Sequence, residues 1–160
     1  MVSEEIVQQI KTCDFNLLND YFIILNELDP GKMHLIAEEM LKQKNIKIIL
    51  HVLNRFQPET DKEKNIVFYL YCKNNNPEVK KRAAIALLRT QDPSLIQKLF
   101  NKARTFSFQK QKYIQLIKLC GEIKIPEAYP ILEKIFQKHP IFYTKTSDKI
   151  RSTALKSMYR

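Results

Sequence analysis

Apolar residues recur along this chain in short stripes of helical period, and polar or proline-bearing breaks interrupt them. Residues 77–99 read PEVKKRAAIALLRTQDPSLIQKL. Asn76 suits a helix cap, Pro77 the first helical position, and Glu78 the positive end of the helix dipole. Val79, Ala83, Ala86 and Leu87 then fall on one face at i, i+4, i+7 and i+8. The stripe stops at Thr90-Gln91, and Asp92-Pro93 supplies a new cap and a new first position. Leu95, Ile96, Leu99, Phe100 and Ala103 form a second stripe. Two amphipathic helices joined by so short a turn are expected to lie antiparallel. The small side chains of Ala83, Ala84 and Ala86 permit an approach near the short end of the usual spacing, about 8–10 Å.

Neither helix buries its stripe alone, so repeats are expected. A shift of 33 residues places Leu87 on Cys120, Pro93 on Pro126 and Leu99 on Leu132, within LCGEIKIPEAYPILEKIF at 119–136. Upstream, IILHVLNRFQPETDKEKNIVFYLY at 48–71 has Pro58 in its turn and a capping box at Thr60 and Glu63. FIILNELDPGKMHLIAEEML at 22–41 repeats the break at Asp29-Pro30. KIRSTALKSMYR at 149–160 echoes VKKRAAIALLR, with Ile150 answering Val79 and Ala154 answering Ala83. The pattern therefore predicts a single domain over 1–160, with hairpins at 14–44, 46–74, 77–104 and 108–138 and a terminal helix at 147–160. That last helix either caps the stack or begins a repeat of a longer protein. A stack end needs a polar outer face, which Arg151, Ser152, Lys156 and Ser157 are expected to supply.

VKKRAAIALLRTQDPSLIQKL resembles a HEAT repeat of the short bacterial kind grouped with phycobilisome-lyase HEAT-like repeats. Val79, Lys80, Ala83, Ala84, Ala86, Leu87, Asp92, Pro93 and Leu99 carry the likeness. Leu88 stands where the family often has glycine, and the later copy has Gly121 there. Residues 77–160 match well and 14–74 loosely. The resemblance implies an all-α fold, a right-handed superhelical α-solenoid of antiparallel helix hairpins. It leaves activity open, because such modules serve many unrelated functions.

Composition agrees with helices: 2 glycines in 160 residues are too few for the turns and bulges of a β-rich fold. The first residues lack a secretory signal, and no stretch approaches the ~20 apolar residues that span a bilayer. Cys13, Cys72 and Cys120 are odd in number and widely separated, which indicates neither a disulfide framework nor a zinc site. A cytoplasmic location, in a reducing compartment, is expected. Charge is uneven. Residues 1–76 hold 9 Lys and Arg against 11 Asp and Glu, and residues 77–160 hold 18 against 6. The basic half predicts an acidic partner, or is merely a solvated surface.

Catalytic signals are weak. His34, His51 and His139 are scattered and read as surface or helix-end residues. Cys120 and Cys72 read as buried small hydrophobes. No glycine-rich phosphate loop or nucleophile-elbow motif occurs. The chain is accordingly read as no enzyme, with no cofactor and no metal. Binding residues are expected on the second helices of the hairpins: Lys98, Lys102 and Arg104, then Lys134 and Lys138. RTFSFQKQKY at 104–113 interleaves basic residues with Phe106, Phe108 and Tyr113, either to stack nucleic-acid bases or to plug aromatics into the core. The expected function is a scaffold or adaptor that binds a protein partner, acidic in character, through its concave or basic face. The alternatives are a nucleic-acid-binding module and a regulatory domain of a larger protein. HEAT-like DNA glycosylases use a tryptophan at the lesion, and this chain has none.

Overall fold

The stripes fold as helices wherever the structure, a computed structural model, describes them: residues 20, 22, 30–105, 110–138 and 144–159. The elements are α1 (Pro30–Leu41), α2 (Ile46–Arg55), α3 (Asp61–Lys73), α4 (Pro77–Arg89) and α5 (Pro93–Thr105). They continue as α6 (Lys110–Ile123), a 3-10 turn (Pro126–Ala128), α7 (Tyr129–Gln137) and α8 (Lys145–Met158). No strand occurs among the described residues, so the fold class is all-α. Among them no helix is long and apolar enough to cross a membrane. Residues 14–19, 21 and 23–29 of the 14–44 hairpin, together with Cys13, Phe106, Phe108 and His139, lie outside the described residues.

The caps read from the sequence form. Thr60 Oγ1 accepts from the Glu63 N–H at 3.3 Å, and the Glu63 carboxylate accepts from the Thr60 N–H at 3.0 Å. Asn76 Oδ1 accepts from the Glu78 and Val79 N–H groups at 2.9 and 3.2 Å. Asp92 Oδ1 does the same for Ser94 and Leu95 at 3.0 and 3.2 Å. These bonds satisfy donors that the first helical turn leaves open. Thr144 and Ser147 form a further box, which starts α8 at Lys145 rather than at 147.

Two turns share a left-handed residue at the 33-residue shift. Gln91 and Lys124 both take the left-handed conformation, with φ of 55° and 57°. Each ends a helix, and each side chain other than glycine there costs about 1–2 kcal/mol. The second turn then departs from the first. Pro130 has no N–H to give the Pro126 carbonyl, and its ring crowds that oxygen. Residues 126–128 therefore close a 3-10 turn, with the Tyr129 N–H on Pro126 O, and the α-helix begins only at Tyr129.

The chain divides into two compact units, Met1–Ala86 and Leu87–Arg160, with the boundary inside α4. In the first, α1 packs on α2 and α3 around Ile36, Met40, Val52, Leu53 and Val67. In the second, α5 packs on α6 and on the 3-10 turn, and α8 packs on α6 and α7. Leu87, Ile96, Leu99, Ile117, Leu132 and Ala154 are all fully buried there.

The polar face expected of α8 is only half right. Ser152 and Lys156 are exposed, but Ser157 is buried against Gly121 of α6. Arg151 is half-buried: its Nε donates to Phe136 O at 3.0 Å, and its guanidinium lies 5.7 Å from the Phe136 ring centre. Because α8 contacts two helices, polar side chains fall on its inner faces. There Arg151 satisfies a carbonyl that the end of α7 leaves without a helical partner.

Candidate interaction surfaces

The stripe of α5 turns Leu95, Ile96, Leu99, Phe100 and Ala103 inward, and this leaves Gln97, Lys98, Asn101 and Arg104 exposed. Lys102 is half-buried. On α7, Leu132 is inward, Glu133, Lys134 and Gln137 are exposed, and exposed Lys138 follows the helix. Gln97 Nε2 donates to Asn101 Oδ1, and Gln137 Nε2 to Glu133 Oε1, both at 3.0 Å. Lys98, Lys134 and Lys138 join no ion pair among the described residues.

The charge separates by unit more sharply than by sequence half. Leu87–Arg160 holds 15 Lys and Arg against 5 Asp and Glu, a net of +10, and Met1–Ala86 holds 12 of each. The whole formal charge of the protein thus resides in the second unit. Tyr113, read from the sequence either as a base-stacking aromatic or as a core plug, is half-buried, with its ring edge-to-face on Phe100 at 5.9 Å. Burial raises its phenol pKa, outweighing the nearby Arg104 charge.

Cys72 is half-buried rather than fully enclosed, and burial pushes the Cys120 thiol up to about 12. Among the described residues, no group of three or more His, Cys, Asp or Glu side chains could hold a metal ion.

The first unit contains a polar cluster that its sequence does not announce. His34 Nδ1 is 2.8 Å from Glu63 Oε1, and its Nε2 is 3.7 Å from Glu59 Oε2. His34 is therefore no simple surface residue: it ties α1 to α3. Glu38, buried on α1, is held by Lys42 at 2.7 Å and by Lys62 of α3 at 2.8 Å. Burial alone would raise both carboxyl pKa values. For Glu38 the two ammonium groups outweigh it, and for Glu63 the Thr60 and Glu59 N–H groups and His34 do, so both are lowered.

A depressed carboxylate stabilises the fold above its unfolded pKa, and that contribution is lost as pH falls through the folded value. The first unit should therefore weaken as pH drops below about 4.5, the ordinary carboxyl value. Urea midpoints at successive acidic pH values check this. The acid loss should shrink in the double variant Glu38→Gln/Glu63→Gln, and an unchanged loss would place the acid sensitivity elsewhere.

A groove of about 830 Å³ opens beside this cluster, between the end of α1, the start of α2, one side of α3 and the turn at 74–76. Its apolar lining is Leu41, Ile46, Ile49, Ile66 and Leu70, with Tyr69 64% exposed. Lys42, Lys44, Lys62 and Lys73 line it, and no Asp or Glu does. Lys42 and Lys62 are engaged by Glu38, whereas Lys44 and Lys73 join no ion pair among the described residues. Its side-chain amides include Asn65, Asn74, Asn75 and Asn76. Asn74 Oδ1 accepts from the Asn76 N–H at 2.8 Å, and Asn76 Oδ1 is taken by the α4 cap. The site expected from sequence lies wholly in the basic unit, so this groove was missed. Its lysines are scattered along the sequence, Lys42 and Lys44 in the turn after α1, Lys62 at the start of α3 and Lys73 at its end, and only Lys42 and Lys73 read as compensation for a helix dipole. No family model, curated protein or solved structure matches the chain.

Proposed function

We propose that the chain is a HEAT-like adaptor, a right-handed stack of antiparallel hairpins that captures an acidic protein partner without catalysing a reaction. The observation that carries this reading is the +10 charge confined to Leu87–Arg160, with Lys98, Arg104, Lys134 and Lys138 exposed on α5 and at α7. A surface of one sign raises the local concentration of an oppositely charged partner and speeds its capture. The repeat architecture draws support from two regularities. The left-handed turn residues Gln91 and Lys124 recur at the same shift as Leu99 and Leu132. The packing of α1 on α2 and α3 is also matched by that of α5 on α6 and on the 3-10 turn that opens α7.

Affinity capture from the native cell, with and without nuclease, tests the proposal. The parent chain should retain an acidic protein after nuclease treatment. Lys98→Glu/Lys134→Glu should retain it poorly at low salt, with unchanged helical content. The difference should fade near 1 M salt, where the Debye length is about 3 Å. Equal capture by the two chains, or a partner lost on nuclease treatment, would overturn it, the latter in favour of nucleic-acid binding.

A further inference from the structure

We propose that the groove of the first unit is a docking site for a short segment of a partner protein that carries carboxylates beside aliphatic or aromatic side chains. At about 830 Å³ it falls in the ~300–1,000 Å³ range of ligand pockets and admits a few side chains rather than a folded domain. Four lysines line it and no carboxylate does, inside a unit whose charges balance overall, and Lys44 and Lys73 are left outside the Glu38 ion pairs. The electrostatic complement is an anion.

The amides extend the same preference. The oxygens of Asn74 and Asn76 are occupied by backbone N–H groups, so what these side chains have left to give is their NH2 hydrogens. With Lys44 and Lys73 they form a rim of donors, which suits carboxylate oxygens and peptide carbonyls. Helix-dipole compensation accounts for Lys42 beside the C-terminus of α1 and Lys73 at that of α3. It does not account for Ile46 at 42% exposure and Tyr69 at 64% beside them. Exposed apolar groups ringed by donors mark a surface that another molecule covers.

The shape of the apolar lining selects between anions. Single-stranded nucleic acid is held by several aromatic platforms. This groove has one ring, Tyr69, against five branched aliphatic side chains. Branched aliphatics receive Leu, Ile, Val or Phe of a peptide, and the lysines receive its Asp or Glu. The groove is built entirely from residues of the first unit, and the proposal holds whether or not α5 and α7 of the second unit bind a partner.

The test uses the full chain and random peptides of about a dozen residues selected on it by display, then labelled for anisotropy. Selection should enrich sequences that alternate acidic and apolar residues. Lys44→Glu/Lys73→Glu should weaken such a peptide about tenfold or more, and Tyr69→Ala to a similar degree. Lys81→Glu/Lys118→Glu carries the same change in net charge at exposed positions outside the groove, and it should shift affinity less than about twofold. Circular dichroism of each variant should match the parent. Amide shifts on titration should gather at Asn65, Tyr69 and Asn75. Three results would overturn the proposal: selected peptides without acidic–apolar character, affinity indifferent to Lys44 and Lys73, or a thymidine oligonucleotide rather than peptide displaced by the groove variants.

Discussion

Leu99→Ala should destabilise the chain by about 2–5 kcal/mol, and Leu87→Ala by a similar amount. Both side chains are fully buried in the second unit. Leu99 belongs to α5, which packs on α6 and on the 3-10 turn, so truncation leaves a cavity lined from several directions. Such a wall relaxes only partly, and the loss exceeds the transfer energy of the missing carbons. Lys98 precedes Leu99 by one residue and is exposed, so Lys98→Ala should change stability by less than about 0.5 kcal/mol. Urea denaturation followed by circular dichroism measures all three, and an unchanged slope assigns the shift to the folded state. Equal effects at 87, 98 and 99 would mean that the faces of α4 and α5 are wrongly assigned.

What was legible in the sequence was local. The caps at Thr60, Asn76 and Asp92 bridge two or three residues, so residue type and spacing suffice to predict them. The stripe of α5 is likewise a matter of period, and its five apolar residues are all buried. The 3-10 turn before α7 also follows from a local rule, the pair Pro126 and Pro130 four residues apart, although the repeat alignment alone concealed it.

The misread residues are those whose partners lie far along the chain. Arg151 meets Phe136 across 15 residues and His34 meets Glu63 across 29, and no periodicity encodes either pair. Ser157 looked like a solvent residue because α8 was treated as a helix with one buried side, whereas it packs on both α6 and α7. The candidate sites divide in the same way. The exposed lysines of α5 and α7 follow from helical faces read one at a time. The groove requires three helix segments and a turn to be brought together, and only tertiary packing does that.

Gly121→Val should unseat α8, at a cost above about 3 kcal/mol, while Gly121→Ala should cost about 1–3 kcal/mol. A glycine inside a helix is about 1 kcal/mol worse than alanine, so by propensity alone the alanine variant would be the more stable chain. Packing reverses the sign. A Cβ built on Gly121 would lie 2.7 Å from both Cα and Cβ of Ser157 and 3.0 Å from its carbonyl oxygen. Backbone cannot swing aside as the end of a flexible side chain does, so α8 itself must move. Its other anchors move with it: buried Ala154 and Thr153, and the Arg151 bond to Phe136 O. Valine adds two more carbons toward the same wall, which exceeds what a shift of a few tenths of an ångström accommodates. Gly31 is the control, exposed in the first turn of α1, where Gly31→Ala should leave stability unchanged or raise it by up to about 1 kcal/mol. Hydrogen exchange reads the effect directly: the amides of α8 should lose protection in Gly121→Val while those of α1 to α3 keep theirs. Parent-like protection of α8 in that variant would show that the helix does not sit on Gly121.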